Sequence, residues 1–228
     1  MNIQCVIPAR GGSKSIFKKN ISNFCGKPLL AWTIEQCIDS DKISNVWVSS
    51  DDDVILNIAA EYGAKKIKRP KDISGDKATS ESSWQHAIDY LHSNDVPVDI
   101  VLGAQVTSPL REVFDINNAI SKFIEGNYDS MFSASIAEDL FFWEELSGGI
   151  NSSNYDYKNR KRKQDLEKKI IENGSFYLFK PEILKKESNR LGGKIGYSEM
   201  EFWKMFEIDN MNDLRMCSAL MKEFLIKA

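Results

Sequence analysis

The chain has 228 residues, a formal net charge of −3 and 42% hydrophobic residues, which suits one soluble globular domain. No apolar run approaches the length of a membrane span, and the first residues lack the shape of a secretory signal, so we expect a cytoplasmic protein with no membrane partner. The four cysteines are scattered without a Cys-x-x-Cys pair, which argues against a disulfide framework or a zinc site. The negative net charge argues against a dedicated nucleic-acid binder.

Short apolar runs alternate with amphipathic helical patterns along the first 135 residues. The predicted strands cover 3–9, 45–50, 64–68, 99–104 and 130–135. The predicted helices cover 28–39, 54–62, 81–92 and 115–125. This alternation predicts an α/β fold with a doubly wound, mostly parallel sheet, which binds ligands outside the carboxyl ends of its strands.

The alternation stops at about residue 138. Aromatic, glycine and asparagine residues follow, and then the basic run 158–163. Strand character resumes over 172–179, and the tail 212–226 has the apolar spacing of a helix. With no repeat and no low-complexity linker, we expect residues 1–228 to form one domain.

The first predicted strand runs into a loop that combines glycines with cations. Gly11 and Gly12 can bring backbone N–H groups close to phosphate oxygens, while Arg10, Lys14 and Lys19 can neutralise the phosphate charge. Glycine–lysine turns are common, and this loop lacks the spacing of a P-loop or of a dinucleotide site. Taken alone, the loop therefore does not separate a polyphosphate site from an ordinary solvated turn.

Two carboxylates, Glu207 and Asp209, stand at positions i and i+2. On an extended segment both side chains project to one side, as a divalent cation bound to phosphate oxygens requires. Helix capping is the alternative interpretation, because the pair directly precedes the tail helix.

The string over residues 3–31 resembles the N-terminal signature of the CMP-sialic acid synthetases (N-acylneuraminate cytidylyltransferases), a family that includes the synthetases for legionaminic and related nonulosonic acids. The matching residues are Arg10, Ser13, Lys14, Lys19, Asn20 and Gly26, whereas Ser15 and Phe17 replace the usual Gly and Pro. Further strings resemble family elements in the same order, at 69–80, 105–111, 163–177 and 207–209.

The resemblance implies a role for each matching residue. The implied nucleotide-binding residues are Arg10, Ser13, Lys14, Lys19, Asn20, Arg69, Ala78 and Ser80. The implied acceptor-binding residues are Gln105, Trp143, Arg162, Lys163, Gln164, Asn173, Gly174 and Tyr177. In the alignment with the family, Trp143 stands near the position of a lysine that contacts the sugar. Lys163 replaces a family arginine, so Arg162 or Arg160 would take the part of that arginine. Asp209, with Glu207, would hold Mg²⁺ or Mn²⁺, and Arg10, Lys19 and Asp209 would be catalytic.

The resemblance also implies a fold, an assembly and a reaction. It predicts a Rossmann-like nucleotidyltransferase fold, a small inserted dimerisation lobe at about 138–195, and a homodimer. The reaction would join CMP from CTP to N-acetylneuraminate or legionaminate and release pyrophosphate, with pseudaminate and 3-deoxy-octulosonate as alternative acceptors. A non-enzymatic alternative, an RNA-binding module that uses 158–163, predicts salt-sensitive oligonucleotide binding and leaves Glu207 and Asp209 without a role.

Overall fold

A computed structural model of the chain describes residues 1–13, 15–137 and 140–226, apart from the side chain of Lys163. Its strands are β1 (Ile3–Pro8), β2 (Asn23–Phe24), β3 (Lys27–Pro28), β4 (Asn45–Ser50), β5 (Lys65–Lys68), β6 (Ile100–Ala104), β7 (Ser130–Ile136), β8 (Trp143–Leu146), β9 (Gly149–Ser152), β10 (Ile170–Phe179) and β11 (Ile195–Met200). Its α-helices are α1 (Leu29–Ile38), α2 (Asp53–Glu61), α3 (Ser80–Ser93), α4 (Val113–Glu125), α5 (Pro181–Glu187) and α6 (Met211–Leu220).

Seven strands form the main sheet in the order β11-β7-β10-β6-β1-β4-β5. Neighbouring strands are parallel except around β10, which is antiparallel to both β6 and β7. The other six strands therefore end at one edge of the sheet. Because β10 runs the opposite way, its first residues lie at this same edge.

Helices cover both faces of the sheet, because side chains alternate along each buried strand. In β1, Cys5 and Ile7 belong to a core cluster that also contains residues of α1, α2, α4 and α6. Val6 points to the opposite face, where it packs in a second cluster with residues of α3 and α5. Burying one aliphatic side chain of this size stabilises a fold by about 1.5–3 kcal/mol, so the two clusters fix the layers.

One glycine is required for the close packing of α3 on the sheet. The Trp84 indole lies directly over Gly103 in β6, where an added Cβ would come within 2.5 Å of the ring. Trp84 also donates its Nε1–H to the carbonyl of Val6, at 3.3 Å. Helix α3, which carries this tryptophan, begins at the edge of the sheet where the parallel strands end.

The predicted α/β class and mostly parallel sheet are confirmed, and the predicted strand 45–50 coincides with β4. The tail helix is shorter than predicted, because α6 ends at Leu220 and a π-helical turn follows over Met221–Leu225. Four elements that the sequence did not predict are the β2–β3 hairpin, the β8–β9 hairpin, α5 and β11.

The predicted lobe, 138–195, contains all of β10, which lies inside the main sheet. Outside the main sheet this range contributes the described stretch 140–169, with the two-stranded β8–β9 hairpin, and the residues between β10 and β11, with α5. Among the described residues, no helix combines the length and apolar character needed to cross a membrane.

Candidate active site

A cleft of about 460 Å³ opens at the carboxyl-end edge of the sheet. Nine of the predicted site residues line it: Arg10, Ser13, Lys19, Asn20, Arg69, Ala78, Ser80, Gln105 and Asp209. Six further residues that line it are not among the predicted site residues: Pro8, Ser15, Ser74, Thr79, Ser83 and Thr107. The cleft therefore gathers residues that are as much as 200 positions apart in the chain.

The loop after β1 is held in place by its own polar groups. Asn20 is buried and donates from Nδ2 to the carbonyl of Arg10, at 2.9 Å. The Arg10 guanidinium donates across the cleft to the carbonyl of Gly75, at 3.1 Å, and to the carboxylate of Asp76, at 3.3 Å. Arg10 thus links the two loops that would flank a bound nucleotide.

Gly11 allows this loop to approach the end of β4. Its backbone N–H donates to Oδ1 of Asp51, at 3.0 Å, and an added Cβ would lie 2.9 Å from the Cβ of Asp52. A larger residue would push the loop away from β4. Lys14, the other predicted cation of the loop, lies outside the described residues.

Lys19 connects the loop to the carboxylate pair. Its ammonium group donates to the carbonyl of Ile208, at 2.9 Å, and to Oδ1 of Asp209, at 3.0 Å. The Lys19 side chain is only 12% exposed, whereas that of Asp209 is 65% exposed. A cation and a carboxylate therefore meet at the cleft, with the carboxylate accessible to a ligand.

Glu207 and Asp209 flank the buried Ile208, whose N–H donates to the carbonyl of Thr107 at 2.7 Å. Partial burial raises the pKa of Glu207, and the nearby Asp209 carboxylate raises it further, while Lys19 opposes the shift. The two carboxylates repel each other electrostatically, and a divalent cation bound nearby would relieve that repulsion. Of the two, Asp209 lines the cleft and Glu207 does not.

The residues that cap α6 are Asn210 and Asp213, and not the pair Glu207 and Asp209. The side chain of Asn210 accepts from the N–H groups of Asn212 and Asp213, and the Asp213 carboxylate accepts from the N–H of Asn210 at 2.9 Å. These two residues cap α6. Asp209 does not act as its N-cap and instead accepts from Lys19.

A buried arginine forms the wall of the cleft beside α3. Arg69 is 3% exposed and donates from Nε to the hydroxyl of Ser74, at 3.0 Å, and from a terminal nitrogen to the hydroxyl of Ser83. Burial lowers the pKa of Arg69, and Asp51 and Arg10 shift it in opposite directions. Ser80 is the first residue of α3, and Thr79 caps the helix by accepting from the N–H of Ser82, at 3.1 Å. The positive end of the helix dipole therefore lies at the cleft.

Residues 4–220 match the cytidylyltransferase family. The chain belongs to the cytidylyltransferase family. It is 35% identical over 217 residues to N-acylneuraminate cytidylyltransferase A of Danio rerio, covering 91% of this chain and 48% of that protein. It is 34% identical over 223 residues to the pseudaminic acid cytidylyltransferase of Campylobacter jejuni, covering 96% of this chain and 95% of that protein. The chain thus spans about half the length of the zebrafish relative and nearly all of the bacterial one.

The fold is also that of solved cytidylyltransferases. The structure of CMP:2-keto-3-deoxy-manno-octonic acid synthetase complexed with CTP superposes with a TM-score of 0.71 at 16% identity, covering 99% of this chain and 100% of that one. A 4-diphosphocytidyl-2C-methyl-D-erythritol synthase superposes with a TM-score of 0.69 at 10% identity, covering 96% and 99% of the two chains. These comparisons confirm both the predicted family and the predicted nucleotidyltransferase fold.

Arg111 is a structural residue that ties three elements together. Its buried guanidinium donates to the carbonyls of Gln105 and Ser108, to both oxygens of Ser175, and to the hydroxyl of Thr33 in α1. Burial lowers the pKa of this side chain. The loop after β6, which carries Gln105 into the cleft, is thereby fixed against both α1 and β10.

Three predicted acceptor residues lie on β10, where the register with β7 shifts between Glu172 and Tyr177. Asn173 is buried, donates to the hydroxyl of Ser135 at 3.2 Å and accepts from the N–H of Ser175, so it holds the irregular segment in place. Gly174 has φ +67°, which favours glycine. Tyr177 is buried and donates its hydroxyl to Glu172.

Apart from Gln105, the predicted acceptor residues that the structure describes do not line this cleft, and this includes the three on β10. Trp143 is 46% exposed and lies against Tyr155 and Tyr157 on the β8–β9 side of the molecule. Arg162 forms an exposed ion pair with Asp165, with Nε and Oδ2 at 3.4 Å, and Gln164 is exposed. The Lys163 side chain lies outside the described residues.

A buried ion cluster lies beside the carboxylate segment and was not predicted from the sequence. Lys204 is 2% exposed and donates to Oε2 of Glu112, at 2.7 Å, and to Oδ2 of Asp115, at 2.9 Å, while Oε2 of Glu201 lies 3.2 Å away. Burial lowers the pKa of Lys204, but the hydrogen bonds with Glu112 and Asp115 outweigh it and raise the pKa overall. The cluster anchors the 3₁₀ helix Phe202–Met205, which leads into Glu207, to the start of α4.

Proposed function

We propose that this chain transfers CMP from CTP to a nonulosonic sugar acid and releases pyrophosphate. The observation that carries the proposal is the cleft at the carboxyl edge of the sheet, where a phosphate-type loop, a buried arginine pocket and an accessible carboxylate meet. Its residues belong to a chain that matches the cytidylyltransferase family over almost its whole length.

The nucleotide would lie along this cleft with its base toward α3. Arg10 and Lys19 would hold the triphosphate, and Ser13, Lys14 and Asn20 would complete the phosphate loop. The pocket of Arg69, Ala78 and Ser80 suits cytosine and its ribose, because Arg69 is already fixed by serine hydroxyls and the small Ala78 leaves the main chain open. A preformed pocket avoids part of the ordering cost of binding.

Asp209, with Glu207, suits a divalent cation such as Mg²⁺ or Mn²⁺. Among the described residues no three histidine, cysteine or acidic side chains gather as a metal cage, so the two carboxylates would share the cation with phosphate oxygens and water. When bound, such a cation neutralises phosphate charge and lowers the pKa of a coordinated hydroxyl. Lys19 would keep Asp209 oriented toward the phosphates.

The chemical step is an in-line displacement at phosphorus. The anomeric hydroxyl oxygen of the sugar acid would attack the α-phosphorus of CTP, the bond to the β-phosphate oxygen would break, and pyrophosphate would leave with the bonding electrons. The proton of the sugar hydroxyl would pass to solvent. Such transfers depend mainly on positioning and charge neutralisation, which Arg10, Lys19 and the helix-α3 dipole would supply.

The relatives support a nine-carbon sugar acid as the acceptor, because one is named for N-acylneuraminate and another for pseudaminic acid. N-acetylneuraminate or legionaminate is our first choice, with pseudaminate and 3-deoxy-octulosonate as alternatives. Gln105 in the cleft, and Asn173, Gly174 and Tyr177 on β10, would form the acceptor side.

A homodimer would give the remaining acceptor residues a role. The β8–β9 hairpin exposes Trp143, Leu146 and Ile150, which are 46%, 53% and 67% exposed in the single chain. Exposed apolar groups on a projecting hairpin suit an interface. In a dimer, Trp143, Arg162, Lys163 and Gln164 would reach the partner's cleft. Light scattering should then give twice the monomer mass of 25.9 kDa, and Ile150→Glu should give the monomer.

The deciding experiment measures pyrophosphate release with CTP, Mg²⁺ and a panel of N-acetylneuraminate, legionaminate, pseudaminate and 3-deoxy-octulosonate. Release with one or more of these sugars and CTP, but not with ATP or UTP, is the expected result. No release with any sugar would reject the acceptor class if CTP still binds, and the whole proposal if CTP does not bind. Salt-sensitive oligonucleotide binding would then favour the RNA-binding alternative.

A matched pair of variants tests the role of the carboxylate. Asp209→Asn should lower kcat by about 100-fold or more, as expected when a group that stabilises transition-state charge is lost. Asp41→Asn makes the same chemical change on the exposed turn between α1 and β4, at the opposite edge of the sheet, and should leave kcat unchanged. Near-normal turnover by Asp209→Asn would contradict the assignment.

A further inference from the structure

The hydroxyl of Tyr177 is already committed within the protein. It donates to Oε1 of Glu172, with the two oxygens 2.5 Å apart. Burial raises the pKa of Tyr177, and the hydrogen bond to Glu172 raises it further, so the hydroxyl keeps its proton and remains a donor. The proton that a tyrosine at this position could offer to a ligand is therefore directed at Glu172.

The tyrosine ring is fixed from a second direction. The Arg190 guanidinium carbon lies 4.2 Å from the centre of the Tyr177 ring, and Arg190 also pairs with Glu81 in the first turn of α3, with Nε and Oε1 3.3 Å apart. A cation over an aromatic face is attractive. The ring, and with it the direction of its O–H, is thus held by Arg190, which Glu81 of α3 binds in turn.

Glu172 is exposed, unlike the tyrosine that holds it. It lies at the ligand edge of the sheet, because β10 begins there. Gly174, two residues further on, lies close to Glu207. A Cβ added at Gly174 would be 3.7 Å from Oε2 of Glu207. Glu172 therefore stands two residues before a glycine that lies close to Glu207, at the edge of the sheet where the cleft opens.

We propose that Glu172 is a specificity-determining residue that accepts hydrogen bonds from hydroxyl groups of the acceptor sugar, and that Tyr177 acts by orienting Glu172. This inference rests on the proposed function, since it concerns the acceptor of the same reaction. An ionised carboxylate only accepts hydrogen bonds, and one of its oxygens already binds Tyr177, so the remaining lone pairs suit the O–H donors of a polyhydroxylated ligand. A hydrogen bond to a charged group contributes enough affinity to select a substrate.

The test compares steady-state kinetics of the full-length wild type, Glu172→Gln and Tyr177→Phe, with CTP and the active sugar acid. Glu172→Gln should raise the acceptor KM about 10- to 100-fold and leave the CTP KM within about twofold, as expected for one charge-assisted hydrogen bond. Tyr177→Phe should raise the acceptor KM by a smaller factor, and the double variant should be no worse than Glu172→Gln, because the tyrosine acts through the glutamate.

A control glutamate lies on the opposite side of the same β7 residue. Glu172 and Glu199 both pair in register with Ala134, but Glu199 is bound to Lys168, with Oε2 and Nζ 2.9 Å apart. Glu199→Gln should leave both KM values unchanged. Monodeoxy analogues of the acceptor provide a second measurement. The wild type should bind one of these analogues more weakly than the parent sugar. Glu172→Gln should bind that analogue and the parent sugar with equal affinity.

The outcomes separate this inference from the proposed function. A wild type that is inactive with every sugar acid contradicts the proposed function and removes the acceptor on which this inference depends. An active wild type whose acceptor KM is unchanged in Glu172→Gln overturns this inference alone. Equal rises in the KM values for CTP and acceptor would also overturn it, because they would indicate a structural role for Glu172.

Discussion

Lys204→Met tests whether the buried ion cluster holds the carboxylate segment in place. The substitution keeps a similar side-chain length but removes a cation that is 2% exposed and bonded to Glu112 and Asp115. Asp115, itself 4% exposed, would be left without its cation in a buried position. Removing one partner from a buried ion pair costs about 3–5 kcal/mol. For a domain of this size, each kcal/mol lowers Tm by about 2–4 °C, so the expected drop is roughly 6–20 °C.

A second substitution shows whether the cost comes from the stranded charge. The Asp115 carboxylate also accepts from the N–H of Glu112 at 2.8 Å, a bond that an asparagine carbonyl would keep. Lys204→Met combined with Asp115→Asn should therefore recover at least half of the lost Tm, because it no longer buries an unpaired carboxylate. Lys168→Met is the control, since its bond to Glu199 joins two half-exposed side chains and should hardly affect Tm.

Differential scanning calorimetry measures the stability, and a Mg²⁺ titration of turnover measures the effect on the site. Lys204→Met should need more Mg²⁺ for half-maximal rate at a temperature where it is folded, because the segment that carries Glu207 and Asp209 loses its anchor. A Tm within 2 °C of the wild type, roughly 1 kcal/mol or less, would refute the reasoning about the buried charge. An unchanged Mg²⁺ dependence would refute the link to the site.

Two further predictions concern the fold. Gly103→Ala should lower the free energy of unfolding, measured in urea, by about 1–3 kcal/mol, because the new Cβ would lie 2.5 Å from the Trp84 ring. Gly148→Ala is the control and should have little effect, because its Cβ would meet no atom within 4 Å. The hydrogen bond from Lys180 lowers the pKa of Asp129 in the folded protein. The ionised Asp129 carboxylate therefore stabilises the fold above its unfolded pKa of about 4, and this stabilisation is lost as the pH falls through the folded pKa. Asp129→Asn should therefore lower Tm at pH 7 but not near pH 2, and an equal loss at both values would contradict this.

The fold was largely predictable where burial dominates the sequence. Strand β4 has the β-branched and aromatic residues Val46, Trp47 and Val48 at its centre and is buried on both faces, and its predicted limits match the structure. Strand β11 was missed, because Gly196 and Ser198 break its apolar pattern and it lies at the edge of the sheet. The antiparallel direction of β10 was also missed, because an apolar run contains no information about which way its strand runs.

The candidate site was predictable to the extent that its residues stand at strand ends. Parallel strands end at one edge, so Arg10, Arg69 and Gln105 were expected to converge, and all three line the cleft. The role of Lys204 was not predictable, because its partners Glu112 and Asp115 come from a distant part of the chain. A lysine between two large apolar residues was the one local sign of Lys204, and such a sign is too common to be diagnostic.

The cleft separates the groups that hold its walls from those that face a ligand. Arg69, Arg111 and Lys204 are 3%, 1% and 2% exposed. Each holds a different segment around the cleft to a neighbouring helix. Moving any of these segments would break several hydrogen bonds to a buried cation, which costs far more than moving an exposed side chain. Asp209, which is 65% exposed, can therefore adjust to a ligand while the loop that carries it stays fixed. The nucleotide side of the cleft should consequently be preformed before CTP binds, so amide hydrogen exchange at residues 69–83 and 105–111 should change little on CTP binding.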